Sequence, residues 1–133
     1  NLIQPGKRML SSMTPTIVEK DGTLFLVIGA PGGRTIINTV LQIIVNTIDH
    51  DMNVAQAIES PRIHHQWLPD RISFERHGLS PDTQEKLRAK GHELNEYSNA
   101  LQGQAMGIMF DPETGYLTGA ADSRASDGWV AGF

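Results

Sequence analysis

The most constraining feature of the chain is an uninterrupted succession of hairpin, glycine-rich turn and amphipathic helix near its start. Pro15-Thr16-Ile17-Val18-Glu19-Lys20 and Thr23-Leu24-Phe25-Leu26-Val27-Ile28 flank Asp21-Gly22, and a two-residue Asp-Gly connection between β-rich runs signals a hairpin. The second run is almost continuously apolar, as expected of a strand covered on both faces, and ends in Gly29-Ala30-Pro31-Gly32-Gly33. Beyond it Ile36, Val40, Ile44 and Ile48 recur every four residues beside a parallel row of Ile37, Leu41 and Val45. Thr35, Asn38, Thr39, Gln42 and Asn46 occupy the other side. The spacing predicts a helix over about residues 34–49 with a broad buried face.

The remainder reads as shorter elements. Asn53 caps a short helix that stops before Pro61, because the residue before a proline avoids helical angles. Residues 62–65 are then extended and residues 71–75 alternate like a strand. Ser80 caps a further helix with Pro81 in its first turn, ended at Gly91. Three strands follow at residues 93–97, 105–110 and 116–121, the last two joined by the loop Asp111-Pro112-Glu113-Thr114-Gly115. No repeat, linker or low-complexity tract divides the 133 residues. The chain is expected to be one α+β unit with strands and helices in separate layers.

Composition narrows the chemistry. With 11 Lys+Arg against 15 Asp+Glu, the chain lacks the cationic surplus that nucleic acid or an anionic membrane requires. It contains no cysteine, which excludes disulfides, thiolate metal sites and cysteine nucleophiles. The apolar stretches are too short or too interrupted to span a bilayer. The start, Asn1-Leu2-Ile3-Gln4-Pro5-Gly6-Lys7-Arg8, has neither an initiator Met nor a signal-peptide layout, so the chain is expected to begin inside a longer gene product.

The most informative candidate site is the turn around Gly32 and Gly33. A helix N-terminus presents N–H groups and a positive dipole end, and paired glycines let a substrate oxygen approach the backbone as in an oxyanion hole. A turn that needs glycine for its angles alone has the same spacing, so both readings stay open. Ser11 and Ser12, before a proline-initiated strand, can donate to a carboxylate, with Arg8 adding charge; a pair of solvated loop serines is the alternative. His64 and His65 adjoin on an extended segment and must point to opposite faces, one packed and one solvated. No metal site is expected.

Read in order, Pro5-Gly6-Lys7-Arg8-Met9-Leu10-Ser11-Ser12-Met13-Thr14-Pro15-Thr16-Ile17, Gly29-Ala30-Pro31-Gly32-Gly33, Asn46-Thr47-Ile48-Asp49, Ala57, Pro61-Arg62-Ile63-His64-His65-Gln66-Trp67-Leu68-Pro69-Asp70 and Gly119-Ala120 closely resemble the C-terminal part of the small subunit of γ-glutamyltranspeptidases. The resemblance implies that residues 1–133 are a partial domain completed by upstream chain. The fold implied is part of a four-layer αββα N-terminal nucleophile hydrolase sandwich. In that family a precursor cleaves itself and exposes a threonine, which attacks γ-glutamyl amides such as glutathione; the acyl group passes to an amino acid, a peptide or water. No cofactor is implied. By position, Ser11 and Ser12 match the serines that hold the γ-glutamyl group, and Gly32 and Gly33 match the oxyanion-hole pair.

Asn1 lies inside the family's small subunit and cannot serve as its nucleophile, so these residues alone are expected to be inactive. The large subunit and the N-terminal part of the small subunit are the implied partners, and bacterial members imply a periplasmic or secreted location. Isolated, the segment is expected to expose sheet edges and helix faces such as Ile36/Val40/Ile44. Two departures stand out: Arg34 where serine is common, expected to adjust the pocket rim, and Asp122-Ser123-Arg124 in place of Asp-Pro-Arg, expected to affect only the tail. A catalytically silent binding module of the same fold, and a related cephalosporin acylase or poly-γ-glutamate processing enzyme, are the alternatives.

Overall fold

The computed structural model describes residues 2–9, 13–97 and 103–132. In chain order it contains β1 (Thr16–Lys20), β2 (Thr23–Gly29), α1 (Ile36–Ile48), α2 (Val54–Glu59), β3 (Ile63–His64), β4 (Ile72–Glu75), α3 (Pro81–Ala89), β5 (Leu94–Tyr97), β6 (Met106–Phe110) and β7 (Leu117–Ala121). A four-stranded antiparallel sheet has the order β1-β2-β6-β7, and a three-stranded sheet the order β3-β4-β5, with β4 and β5 parallel. The parallel pair is possible because α3 supplies the crossover between β4 and β5.

Local chemistry accounts for the junctions. Asp21 and Gly22 both have positive φ, 53° and 76°, the turn whose twist matches the right-handed twist of the strands it joins. The Asn53 side chain accepts from Gln56 N–H at 2.9 Å and the Gln56 side chain accepts from Asn53 N–H at 3.2 Å, a reciprocal cap that starts α2. Asp111 closes the β6–β7 loop by accepting from Glu113 N–H and the Thr114 hydroxyl.

Helices α1 and α2 cover one face of the larger sheet. Between them lies the core of Leu26, Ile28, Val40, Ile43, Val54, Ala57, Ile58 and Ala105. The other face of that sheet is uncovered, and here the structure corrects the reading of β2 as a strand buried on both sides: Leu26 and Ile28 are buried, but Leu24 and Val27 are exposed, as are Ile17 and Ile108 beside them. The C-terminal tail packs on this face, where Gly119 makes room for Val130 and Gly128 packs against Ala121 and Met106.

The orientation of α1 also differs from expectation. Its buried stripe is Ile36, Thr39, Val40, Ile43 and Thr47, whereas Ile37, Leu41 and Ile48 are exposed. Adjacent rows lie about 100° apart, so the rotation of the helix about its axis decides which row is buried, and threonine can line a buried stripe because its hydroxyl returns to the helix: Thr47 donates to the Ile43 and Ile44 carbonyls at 3.1 and 2.9 Å. Ile36 and Val40 are therefore not left exposed; the apolar face this chain leaves open is Ile37/Leu41/Ile48. The helix begins as a 3-10 turn at Gly33–Thr35.

Removing core volume should be costly. Ile43→Ala is expected to destabilise the protein by about 2–5 kcal/mol and Asn53→Ala by about 1 kcal/mol, read from urea unfolding followed by circular dichroism; equal effects would mean that α1 does not anchor the core.

Candidate functional site

The turn after β2 is built by two glycines with different tasks. Gly32 has φ 149° and Gly33 φ 58°, angles that side-chain-bearing residues rarely adopt. A Cβ on Gly32 would lie 2.7 Å from the Gly103 Cα and 2.9 Å from Thr35 Oγ1, whereas a Cβ on Gly33 would meet nothing within 4 Å. Gly32 is thus wedged against the neighbouring chain, and Gly33 faces open space. The Gly32 carbonyl is occupied, accepting from Thr35 N–H at 3.2 Å and the Thr35 hydroxyl at 2.9 Å. The Gly32 and Gly33 N–H groups have no hydrogen-bond partner among the described residues. Exposed donors at the start of a helix are what an incoming oxyanion needs.

Ser11 and Ser12 lie outside the described residues. Among the described residues, Thr16 pairs with Ile28, so β1 begins at the same end of the sheet as Gly29 and the turn that follows it. Pro15, Thr16 and Gly29 line one open groove there. The histidines divide as expected from an extended segment. His64 is buried with Nε2 2.9 Å from Gln66 Oε1, and His65 points outward to Asp70 at 3.1 Å.

Behind the turn is a group of charged residues that spacing does not reveal. Gly103 backs Gly32, and a Cβ on Gly103 would lie 2.5 Å from Thr39 Oγ1. Gln104 N–H donates to the Pro31 carbonyl at 3.1 Å, and the Gly103 carbonyl accepts from Arg62 Nη1 at 3.1 Å. Arg62 is almost wholly buried; its Nη2 donates to the Ile58 carbonyl at 2.6 Å and to Asp122 Oδ2 at 2.7 Å. Asp122 also accepts from Ala105 N–H at 3.0 Å and from Arg124 Nη1 at 2.9 Å. Arg124 continues to Glu75 through two parallel contacts of 3.0 and 2.7 Å, and Glu75 accepts from the Arg62 N–H at 3.0 Å.

This network corrects the expectation that Asp122-Ser123-Arg124 affects only the tail. Asp122 and Arg124 join β4, α2 and the loop behind the glycine turn, and Ser123 donates to Glu59 through its N–H and its hydroxyl at 2.8 and 2.6 Å. Burial by itself would raise the Asp122 carboxyl, but hydrogen bonds from Ala105 N–H, Arg124 and Arg62 outweigh it and hold the pKa below the ordinary value. For Arg124 burial likewise opposes the charge, and Glu75 and Asp122 raise its pKa in spite of it.

The α+β fold thus places two backbone N–H groups, without partners among the described residues, at the turn before a helix and braces that turn with buried charge. The family model for gamma-glutamyltranspeptidase matches residues 1–132, and the chain belongs to that family. It is 50% identical to the glutathione hydrolase proenzyme of Escherichia coli K12 over 133 residues, covering 100% of this chain and 22% of that protein. A crystal structure of Helicobacter pylori gamma-glutamyltranspeptidase superposes with a TM-score of 0.85 at 42% identity, over 92% of this chain and 66% of that one. The chain is also 37% identical to an acylase ACY 1 proenzyme from a Pseudomonas strain, over 97% of its length and 22% of that protein. It thus spans less than a quarter of the curated relatives named here.

Because the folded pKa of Asp122 is depressed, its contribution to stability is present above its unfolded value near 3.8 and is lost as pH falls through the folded value. Asp122→Asn should therefore flatten the acid limb of the stability profile. Arg62→Leu, which breaks the buried ion pair with Asp122 and removes the side-chain donor to the Gly103 carbonyl, should cost about 3–5 kcal/mol. Thermal melts between pH 3 and 7 check both; an unchanged acid limb in Asp122→Asn would remove Asp122 from the account.

Proposed function

We propose that these residues are the C-terminal part of the small subunit of a γ-glutamyltranspeptidase that cleaves γ-glutamyl amides such as glutathione. The observation that carries this reading is the turn itself: two glycine N–H groups without partners among the described residues, open to solvent on the Gly33 side, in a chain of this family. The nucleophilic threonine is contributed by a part of the protein outside these residues. Its Oγ attacks the γ-carbonyl while its proton passes to the threonine's own amine, and the carbonyl oxygen becomes the oxyanion that Gly32 and Gly33 N–H groups meet. Collapse of that intermediate breaks the amide bond, and the amine leaves with the proton. Water or an acceptor amine then attacks the ester and restores the threonine hydroxyl.

Ser11 and Ser12 hold the γ-glutamyl group in this reading, through hydroxyl donors to its carboxylate. The large subunit and the rest of the small subunit are the partners, and their packing on the open face of the larger sheet completes a four-layer αββα sandwich. The exposed row of Ile17, Val27 and Ile108 supports that arrangement, since so much aligned apolar surface is seldom left in water. A periplasmic or secreted location is part of the same proposal and is tested by fractionation.

The test uses the complete, processed protein with a γ-glutamyl anilide. Gly33→Ala is expected to lower kcat by about 10²–10³-fold, the usual loss for one oxyanion donor, because Gly33 has φ 58° and a side chain there displaces the amide. Ser11→Ala and Ser12→Ala should raise KM more than they lower kcat. Unchanged kinetics in all three would defeat the assignment. The acylase relative supports a second reading, and a glutaryl or cephalosporin side-chain amide turned over faster than the anilide would favour it.

A further inference from the structure

We propose that Arg34, Arg71, His64 and Tyr97 enclose a binding site for a small monoanion, beside the glycine turn and separate from the oxyanion donors. Arg34 follows Gly33 directly, in the 3-10 turn that precedes α1; Arg71 leads into β4, His64 is on β3 and Tyr97 ends β5. With Gln66 and Ser73 these side chains line a single cavity, with room for about one water-sized particle.

The charge balance of this cavity is one-sided. Among the described residues no carboxylate lines it, and the arginine ion pairs are those of Arg62 and Arg124, not of Arg34 or Arg71. Of the acidic residues close in sequence, Glu75 pairs with Arg124, Asp70 with His65, and Glu96, next to Tyr97, is exposed and does not line the cavity. Arg34 and Arg71 both line the cavity, Arg34 with a hydrogen bond to the Tyr97 phenol, so an anion held there would meet positive charge from two sides.

An unused donor points the same way. The Arg71 Nε is buried and has no hydrogen-bond partner, and buried polar atoms are nearly always satisfied, so an anion accepting from it would remove an exception. His64 is buried as well, its Nε2 donating to Gln66 Oε1. The Tyr97 phenol is held below its ordinary pKa, first by its hydrogen bond with Ser73 and further by the positive charge of Arg34 and Arg71, so the field of both arginines reaches this ring. Arg34 is exposed, which leaves the cavity reachable from solvent. Its size admits a halide or one carboxylate oxygen and excludes sulfate or phosphate.

The experiment uses the complete processed protein and measures its melting temperature in chloride, in acetate and in methanesulfonate, a monoanion too large for the cavity, at one ionic strength. Expected is a saturable rise with chloride over methanesulfonate, with an apparent affinity at least about tenfold weaker in Arg34→Ser, as loss of one charged donor implies. Bromide soaked into crystals should give an anomalous peak between Arg34 and Arg71. A rise with acetate alone, lost in Arg34→Ser, would support the site with a substrate or acceptor carboxylate as its occupant. No difference among the three anions, or an equal response in Arg34→Ser, would overturn the proposal. Arg71→Gln is a second probe; because Arg71 is half-buried, Arg34→Ser decides the matter if Arg71→Gln does not fold.

Discussion

The contact on which the rest of this structure depends is the buried pair of Arg62 and Asp122, 2.7 Å apart and separated by sixty positions of chain. Placing two charges out of water is unfavourable unless every donor and acceptor around them is used. Here the Ile58 and Gly103 carbonyls accept from Arg62, and the Ala105 N–H and Arg124 donate to Asp122. Such a cluster can be satisfied in only one arrangement, so it selects geometry more than it adds stability. It joins the end of β7 to α2, and through Arg124 and Glu75 to β4 in the other sheet.

That selection reaches the glycine turn by steric contact. Arg62 holds the Gly103 carbonyl, Gly103 lies against both Thr39 and Gly32, and Gln104 ties the same strand entrance to Pro31. The N–H groups of Gly32 and Gly33 are thereby held in place from behind while Gly33 remains open in front. Under the proposed function this matters, because donors fixed beforehand need no reorganisation when a charge develops in front of them. The buried ions and the exposed donors are two ends of one arrangement.

The molecule is otherwise one-sided. Helices α1 and α2 cover one face of the larger sheet, and the opposite face carries Ile17, Val27 and Ile108 in the open. On α1 the pattern repeats, with Ile37 and Leu41 exposed although they are as apolar as the buried Ile36 and Val40. Apolar residues therefore stand on both sides of these elements. The tail crossing at Gly119 and Val130 covers only one corner of the open face.

Much of this was legible before any coordinates. The Asp21-Gly22 hairpin, the Asn53 and Ser80 caps, the loop at Asp111 and the strand-to-helix glycine turn each rest on a few adjacent residues whose backbone preferences are local, and each is where the sequence placed it. What tertiary structure decided was which of two equally apolar rows of α1 is buried, whether both faces of β2 are covered, and what lies behind the turn. Periodicity identifies a face but cannot say what packs on it, and a rotation of one residue exchanges Ile37 for Ile36. The ion network left no sequence signal at all: Arg62, Glu75, Asp122 and Arg124 have no common spacing, and only chain folding brings them within hydrogen-bond reach. Local preferences are written in neighbouring residues; the pairing of distant charges is settled by the free energy of burying them together, which exists only in the folded state.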